Sequence, residues 1–376
     1  MSNSIQQYII GKLEQRKQEN NFRALRVTKG LVDFYSNDYL GFARDENLKA
    51  RVAEEIKSHH QAFLGSTGSR LLSGNSKYAE QLEKFIADYH DAEAALIFNS
   101  GFDANYGLLS SLPYRGDTIL YDELVHASIH DGIRNSKANG VSFAHNNVAD
   151  LEQKLKTATG LKYVVVESVY SMDGDFAPLV KIASVCKKYE AGLIVDEAHA
   201  TGIAGTKGEG RVTGEIQNAN IIARVHTFSK ALGAHGAVIL CSNDLKEFLI
   251  NYCRPFIFST ALPFYSLVAI KCSYQFLNAS KERREKLFAL NMLFKKQIQP
   301  KENFQLISSD TPVQSIVVSG NQNVKDFAKK IQEQGFDVRP ILYPTVPKGK
   351  ERIRICLHSF NTEEEVSKLV AIINSL

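Results

Sequence analysis

The sequence predicts an α/β protein: a large domain with a mostly parallel seven-stranded sheet, followed by a smaller α+β C-terminal domain. Three observations lead there. Short apolar runs recur between about residues 94 and 241 without clean alternation of apolar and polar positions, as expected of strands buried on both faces. Segments with helical spacing of apolar residues separate these runs. After about residue 260 the order changes, with two long helical segments and then short strands alternating with helices.

Taken in order, the first stretch reads as an amphipathic helix, since Ile5, Ile9 and Leu13 fall at helical spacing. A strand-like piece spans 25–34, and Tyr35-Ser36-Asn37-Asp38-Tyr39-Leu40-Gly41 follows it. Helices are predicted over 45–60, 77–90, 101–111, 126–138, 148–157 and 178–189. The strand-like runs between them are 94–98, 117–121, 141–143, 163–167, 193–196, 221–226 and 237–241. The tail predicts strands at 314–318, 338–341 and 352–357 and helices at 324–334 and 362–373. The expected domains are 46–275 and 276–376, with 1–45 joining the smaller one.

At 376 residues, 44% hydrophobic and 23% charged, the composition is that of an ordinary soluble globular protein. A net charge of +4 with no basic run argues against nucleic acid or a membrane surface as partner. The five cysteines are odd in number and form no Cys-x-x-Cys pair, which argues against a disulfide framework and against zinc, and no metal is expected. Met1 to Asn20 does not read as a signal peptide, and no apolar stretch has the length of a membrane span. The expected location is cytoplasmic.

Ligands of parallel sheets gather at the carboxyl ends of strands. Glu167, Asp196 and Lys230 all fall at or just beyond predicted strand ends. Lys230 lies in Thr227-Phe228-Ser229-Lys230-Ala231-Leu232-Gly233, among small residues and shortly after an apolar strand. A lysine so placed can hold a carbonyl cofactor as a Schiff base, and an acid at a neighbouring strand end can keep a pyridine nitrogen protonated. That pairing suits pyridoxal phosphate. Ser100-Gly101-Phe102 opens a helix after a strand, which suits a phosphate, although plain strand-to-helix turns look the same. Asp196-Glu197-Ala198-His199 is also a helicase box, but no phosphate loop ending in Gly-Lys-Ser or Gly-Lys-Thr precedes it. His126 can stack on a planar ring or simply cap a helix. Gly65 to Ser76 is a Gly/Ser-rich loop that either shapes a ligand entrance or merely connects. Arg354 shares a strand face with Arg352 and can clamp a carboxylate or serve a salt bridge. His59, His60 and His90 suggest no role.

As an ordered set, Asn37-Asp-Tyr-Leu-Gly41, Gly65-x-x-Gly-Ser-Arg70, Ser100-Gly-Phe102, His126-Ala-Ser, Ser171-Met-Asp-Gly-Asp175, Asp196-Glu-Ala-His199 and Thr227-Phe-Ser-Lys230 resemble the α-oxoamine synthases. These are fold-type I pyridoxal phosphate enzymes that condense an amino acid with an acyl thioester and release carbon dioxide. The resemblance implies Lys230 as Schiff-base lysine and acid/base, Asp196 on the pyridine nitrogen and His126 stacked on the ring. It implies His199 and Ser171 near the phenolic oxygen, and Ser100, Gly101, Phe102 and Thr227 around the phosphate. Ser259 and Thr260 would reach that phosphate from a second subunit, making an obligate homodimer with shared active sites. Asn37, Thr345 and Arg354 would face the substrate.

Phe143-Ala-His-Asn-Asn147, Phe258-Ser-Thr-Ala-Leu-Pro263 and Pro344-Thr-Val-Pro347 are similar to the biotin-pathway branch. That branch uses L-alanine with pimeloyl-CoA or a pimeloyl carrier-protein thioester. Leu342 departs from it, because many members carry arginine there. Pro347-Lys-Gly349 is also similar to the branch using glycine and acetyl-CoA. The serine palmitoyltransferase branch and amino-group transfer stay open as alternatives.

Overall fold

The computed structural model describes residues 4–27, 30–59, 64–213, 216, 220–302 and 304–376. The chain divides into two compact units. The larger holds Asn37–Ser171 and Phe176–Arg284; the smaller holds Met1–Ser36, Met172–Asp175 and Glu285–Leu376. Residues 37–45 and 276–284 thus sit with the larger unit, and a four-residue segment of the smaller one interrupts it.

The larger unit is built on seven strands: β1 (Ala94–Phe98), β2 (Thr118–Asp122), β3 (Asn139–Phe143), β4 (Lys162–Glu167), β5 (Gly192–Asp196), β6 (Ile221–Thr227) and β7 (Ala237–Cys241). Their order across the sheet is β1-β7-β6-β5-β4-β2-β3. Every residue of β1, β5 and β7 is buried, which explains the missing alternation. Leu96, Ile119, Leu120, Val164, Val165, Val166, Leu193 and Val195 are all fully buried in one core. Each such side chain contributes about 1.5–3 kcal/mol of apolar burial.

Only β7 is reversed, pairing antiparallel with both β1 and β6. The carboxyl ends of the other six strands therefore share one edge of the sheet, and the turns after β1, β2, β4, β5 and β6 gather there. Register sets what these turns display. Glu167 of β4 is paired with Asp196 of β5, and Asp196 with Val225 of β6. Registered neighbours in a sheet point to the same face, so the two acids stand side by side. The helices that follow begin on polar caps: Ser100 accepts from Asp103 N–H and Asn147 from Asp150 N–H, each cap contributing about 1 kcal/mol.

The smaller unit carries a four-stranded antiparallel sheet, in the order Arg339–Ile341, Arg352–Cys356, Val313–Val317 and Gln305–Leu306. Helices Asn321–Gln332 and Glu363–Ser375 belong to it, the second opened by a capping box between Thr362 and Glu365.

Three elements differ from expectation. The strand expected over 25–34 reduces to Val32–Asp33, paired in parallel with Phe336–Asp337. Leu25 and Val27 are exposed, and Gly30 at φ 76° ends any extended run; residues 28 and 29 lie outside the described residues. The first helix forms over Ser4–Gln18, yet none of its residues is buried, so its apolar stripe meets no core in this chain. The helix expected over 45–60 is Glu46–Lys57, and residue 60 lies outside the described residues.

Candidate active site

One cavity of about 240 Å³ opens at the carboxyl edge of the large sheet. Its wall is made by the segments that follow β1, β2, β5 and β6 and by the ends of β4, β5 and β6. Ser100, Gly101, Phe102, His126, Asp196, His199, Thr227 and Lys230 all line it, together with Asn105 and Glu167.

The mouth of the helix Gly101–Ser111 forms one end. An α-helix leaves its first N–H groups without intrahelical partners, here including those of Gly101 and Phe102. Thr227 stands beside them: a Cβ placed on Gly101 would lie 3.5 Å from Thr227 Oγ1. Thr227 Oγ1 is itself held by Gly236 O at 3.2 Å and lies 3.0 Å from Ser229 Oγ. Free N–H groups, a helix dipole and a hydroxyl make an anion cradle that suits a phosphate.

Asp196 forms the floor. Its Oδ2 accepts from Asn105 Nδ2 at 2.7 Å and its Oδ1 from Ala198 N–H at 2.8 Å. Asn105 gives its second amide hydrogen to Ser128 Oγ at 3.1 Å, and Ser128 Oγ lies 2.8 Å from His126 Nδ1. The Ser128 N–H also donates to His126 Nδ1 at 3.2 Å, so this nitrogen accepts and the ring proton belongs on Nε2. Burial pushes the His126 pKa down; Asp196 pulls it up, and Lys230 and His130 oppose that pull. His126 is thus a neutral ring that caps the helix Ala127–Asn135. The capping and the cavity-facing readings of this histidine are compatible.

His199 lies one turn beyond Asp196, with Nδ1 2.7 Å from Tyr39 Oη. Tyr39 Oη donates toward Asn37 Oδ1 at 3.3 Å. Lys230 rides on a tight turn closed by Gly233 N–H to Lys230 O at 2.9 Å. Gly233 has φ 60°, and a Cβ there would come within 2.3 Å of Ala43 N. Only glycine fits, which fixes the lysine's loop against the backbone of Ala43.

Other expected residues fall elsewhere. Ser171 does not line the cavity; its N–H donates to Glu167 Oε2 at 3.1 Å. Ser259 and Thr260 line a different depression with Arg70 and Gly74. Arg70 in the Gly/Ser-rich loop clamps buried Glu83 at 2.7 Å and 3.3 Å, and Ser66 Oγ bonds Leu262 O at 2.6 Å. That loop is tied down to the 259–263 segment rather than loosely connecting. Arg354 and Thr345 belong to the smaller unit. Arg354 is buried in strand Arg352–Cys356, and exposed Thr345 accepts from Arg23 at 3.2 Å. Arg352, its strand-face neighbour, pairs with Asp173. Glu197 is structural: it is fully buried and accepts from Ser168 Oγ and from the N–H groups of Arg211 and Val212.

Asn105 and Tyr39 were not foreseen. Asn105 follows Gly101 by four residues on the same helix, so helical spacing alone brings it to the face of the phosphate cradle.

The donor set fits pyridoxal phosphate: a cradle for an anion at one end, a fully hydrogen-bonded carboxylate at the other, and a lysine on the wall between turns. The sheet order and this cavity define a pyridoxal-phosphate-dependent transferase of fold type I. The chain belongs to the aminotransferase class I and II family, whose pattern matches residues 29–373. It is 42% identical to the 8-amino-7-oxononanoate synthase of Emericella nidulans, over 90% of this chain and 87% of that protein. It is 38% identical to the 8-amino-7-oxononanoate synthase of Lysinibacillus sphaericus, over 93% of this chain and 89% of that one. Among solved structures, serine palmitoyltransferase of Sphingomonas wittichii is similar at 28% identity and TM-score 0.84, covering 92% of this chain and 86% of its own. The 8-amino-7-oxononanoate synthase of Francisella tularensis is similar at 28% identity and TM-score 0.77, covering 92% and 97%. Among the described residues no helix is long and apolar enough to cross a membrane.

Proposed function

We propose that this protein condenses L-alanine with a pimeloyl thioester, carried by coenzyme A or a carrier protein, to give 8-amino-7-oxononanoate, carbon dioxide and the free thiol. The observation that carries the reading is the coincidence of two things. Relatives bearing that name are 36–42% identical over nearly the whole chain, and the cavity brings Lys230, Asp196, His126 and His199 together. The place of the reaction would be biotin synthesis.

Bound pyridoxal phosphate supplies an electron sink for a carbanion at the amino-acid Cα. The residues supply the rest. Gly101 and Phe102 N–H groups, with Ser100 and Thr227, hold the phosphate. Asp196, supported by Asn105 and Ala198, holds the proton on the pyridine nitrogen. His126 would pack against the ring as a neutral imidazole, and His199 would serve the phenolic oxygen side. Lys230 Nζ holds the cofactor, then takes the Cα proton and later returns one. Asn37, Thr345 and Arg354 bind substrate, with Arg354 on the carboxylate. A cytoplasmic homodimer is part of the proposal: Ser259 and Thr260 do not line this chain's own cavity, which agrees with service to a partner's phosphate.

The test is the product. With L-alanine labelled at the carboxyl carbon, label should leave as carbon dioxide and the organic product should have the mass of 8-amino-7-oxononanoate. Label retained in pyruvate, formed when a 2-oxo acid is added as amino acceptor, would replace the condensation by amino-group transfer.

A further inference from the structure

Glu167 has no part in the scheme above, yet it is a buried carboxyl group on the cavity wall. It ends β4, lines the cavity and is 2% exposed. Register places it beside Asp196 on the same face of the sheet. Two buried carboxylates as neighbours repel each other, and one of them is better left protonated.

The hydrogen bonds show which. Asp196 receives a donor on each oxygen, Asn105 Nδ2 on one and Ala198 N–H on the other. Glu167 receives Ser171 N–H on Oε2, with the His126 N–H also turned toward the carboxyl, while its Oε1 is buried with no hydrogen-bond partner. An ionised oxygen left so would carry the full desolvation cost. A protonated Oε1 becomes a donor instead, free to bond an acceptor brought in by a ligand. The charged and titratable groups facing Glu167 are Asp196 from β5, His126 from the start of its helix, Lys230 from the turn after β6 and His199 beyond Asp196.

We propose that Glu167 stays protonated in the folded protein and acts as a positioning residue, leaving Asp196 as the one carboxylate on the cavity floor and offering a hydrogen-bond donor beside it. This rests on the reading of the cavity as a pyridoxal phosphate site. One negative charge then faces one pyridine nitrogen, and no second charge opposes entry of an anionic cofactor. Burial first, and Asp196 second, raise the Glu167 pKa to about 8, against smaller pulls from Lys230 and the N–H groups of Ser171 and His126.

The experiment is infrared difference spectroscopy of the carbonyl stretch of a protonated buried carboxyl, on the full chain with and without pyridoxal phosphate. The wild type should show the band at neutral pH and lose it as pH rises through about 8. Glu167→Gln, a neutral isostere, should abolish the band while circular dichroism stays that of the wild type. Asp196→Asn removes the neighbouring charge, so the band should fade about one pH unit lower or more. Absence of the band at neutral pH, its persistence in Glu167→Gln, or an unshifted midpoint in Asp196→Asn would each overturn the proposal. Cofactor binding by the wild type, followed by visible absorbance, is scored separately. Failure to bind refutes the cofactor reading, whereas binding without the band refutes only the role of Glu167.

Discussion

Asn105 Nδ2 donates to Asp196 Oδ2 at 2.7 Å, and the same amide reaches Ser128 Oγ, which leads on to His126. A helix residue thus couples the carboxylate on the floor to the ring on the wall. Asn105→Ala strips one of two donors from buried Asp196 and should cost about 1–3 kcal/mol. Urea unfolding of the cofactor-free protein checks this. A change near zero would mean that the amide contributes nothing to holding Asp196.

Lys230→Ala should end turnover and prevent covalent capture of pyridoxal phosphate by borohydride, read as a missing mass increment on the protein. The phosphate cradle of Gly101, Phe102 and Thr227 is untouched, so reversible binding should persist. Normal turnover in this variant would remove the lysine from the chemistry.

Asp196→Asn keeps the shape of the floor and removes its charge. Loss of one preorganised electrostatic partner costs on the order of 10²–10³-fold in kcat, and that fall is expected here with the cofactor still bound. Full activity would assign the pyridine nitrogen to another residue.

His90 and His226 are buried as neutral rings, with centroids 4.3 Å apart. Burial pushes His90 down to about 3, with Arg224 and Lys207 adding to it and the Glu209 carbonyl opposing; burial pushes His226 well below its usual value, with His90 and Arg224 adding to it. Below about pH 6.5 the unfolded chain binds protons that these folded rings refuse, so stability rises with pH across the window from about 3 to 6.5. Denaturant midpoints should fall as pH drops through that window. His90→Gln, which removes one such ring, should flatten the slope.

The parts of the site legible in the sequence are those that strand ends announce. Asp196 and Lys230 follow apolar runs, and strand ends of a parallel sheet are where ligands bind. Seven strands were legible because continuous apolar runs have no other comfortable place in a covered sheet. Asn105 was not, since an asparagine inside a helix acquires meaning only once the helix is docked beside Asp196. Glu167 stood visibly at a strand end, but its protonation depends on register with Asp196, and register is a property of the assembled sheet. The 25–34 segment misled because β-branched and apolar residues there suggest a strand, while among its described residues the strand is Val32–Asp33.

The most direct test of the central claim is thiol release by the purified, cofactor-loaded protein with three substrate pairs. They are L-alanine with pimeloyl-CoA, glycine with acetyl-CoA, and L-serine with palmitoyl-CoA. Release with the first pair alone is the predicted result, and it would show that Leu342 is compatible with a pimeloyl chain. Release with the second or third pair and none with the first would contradict the proposed substrate.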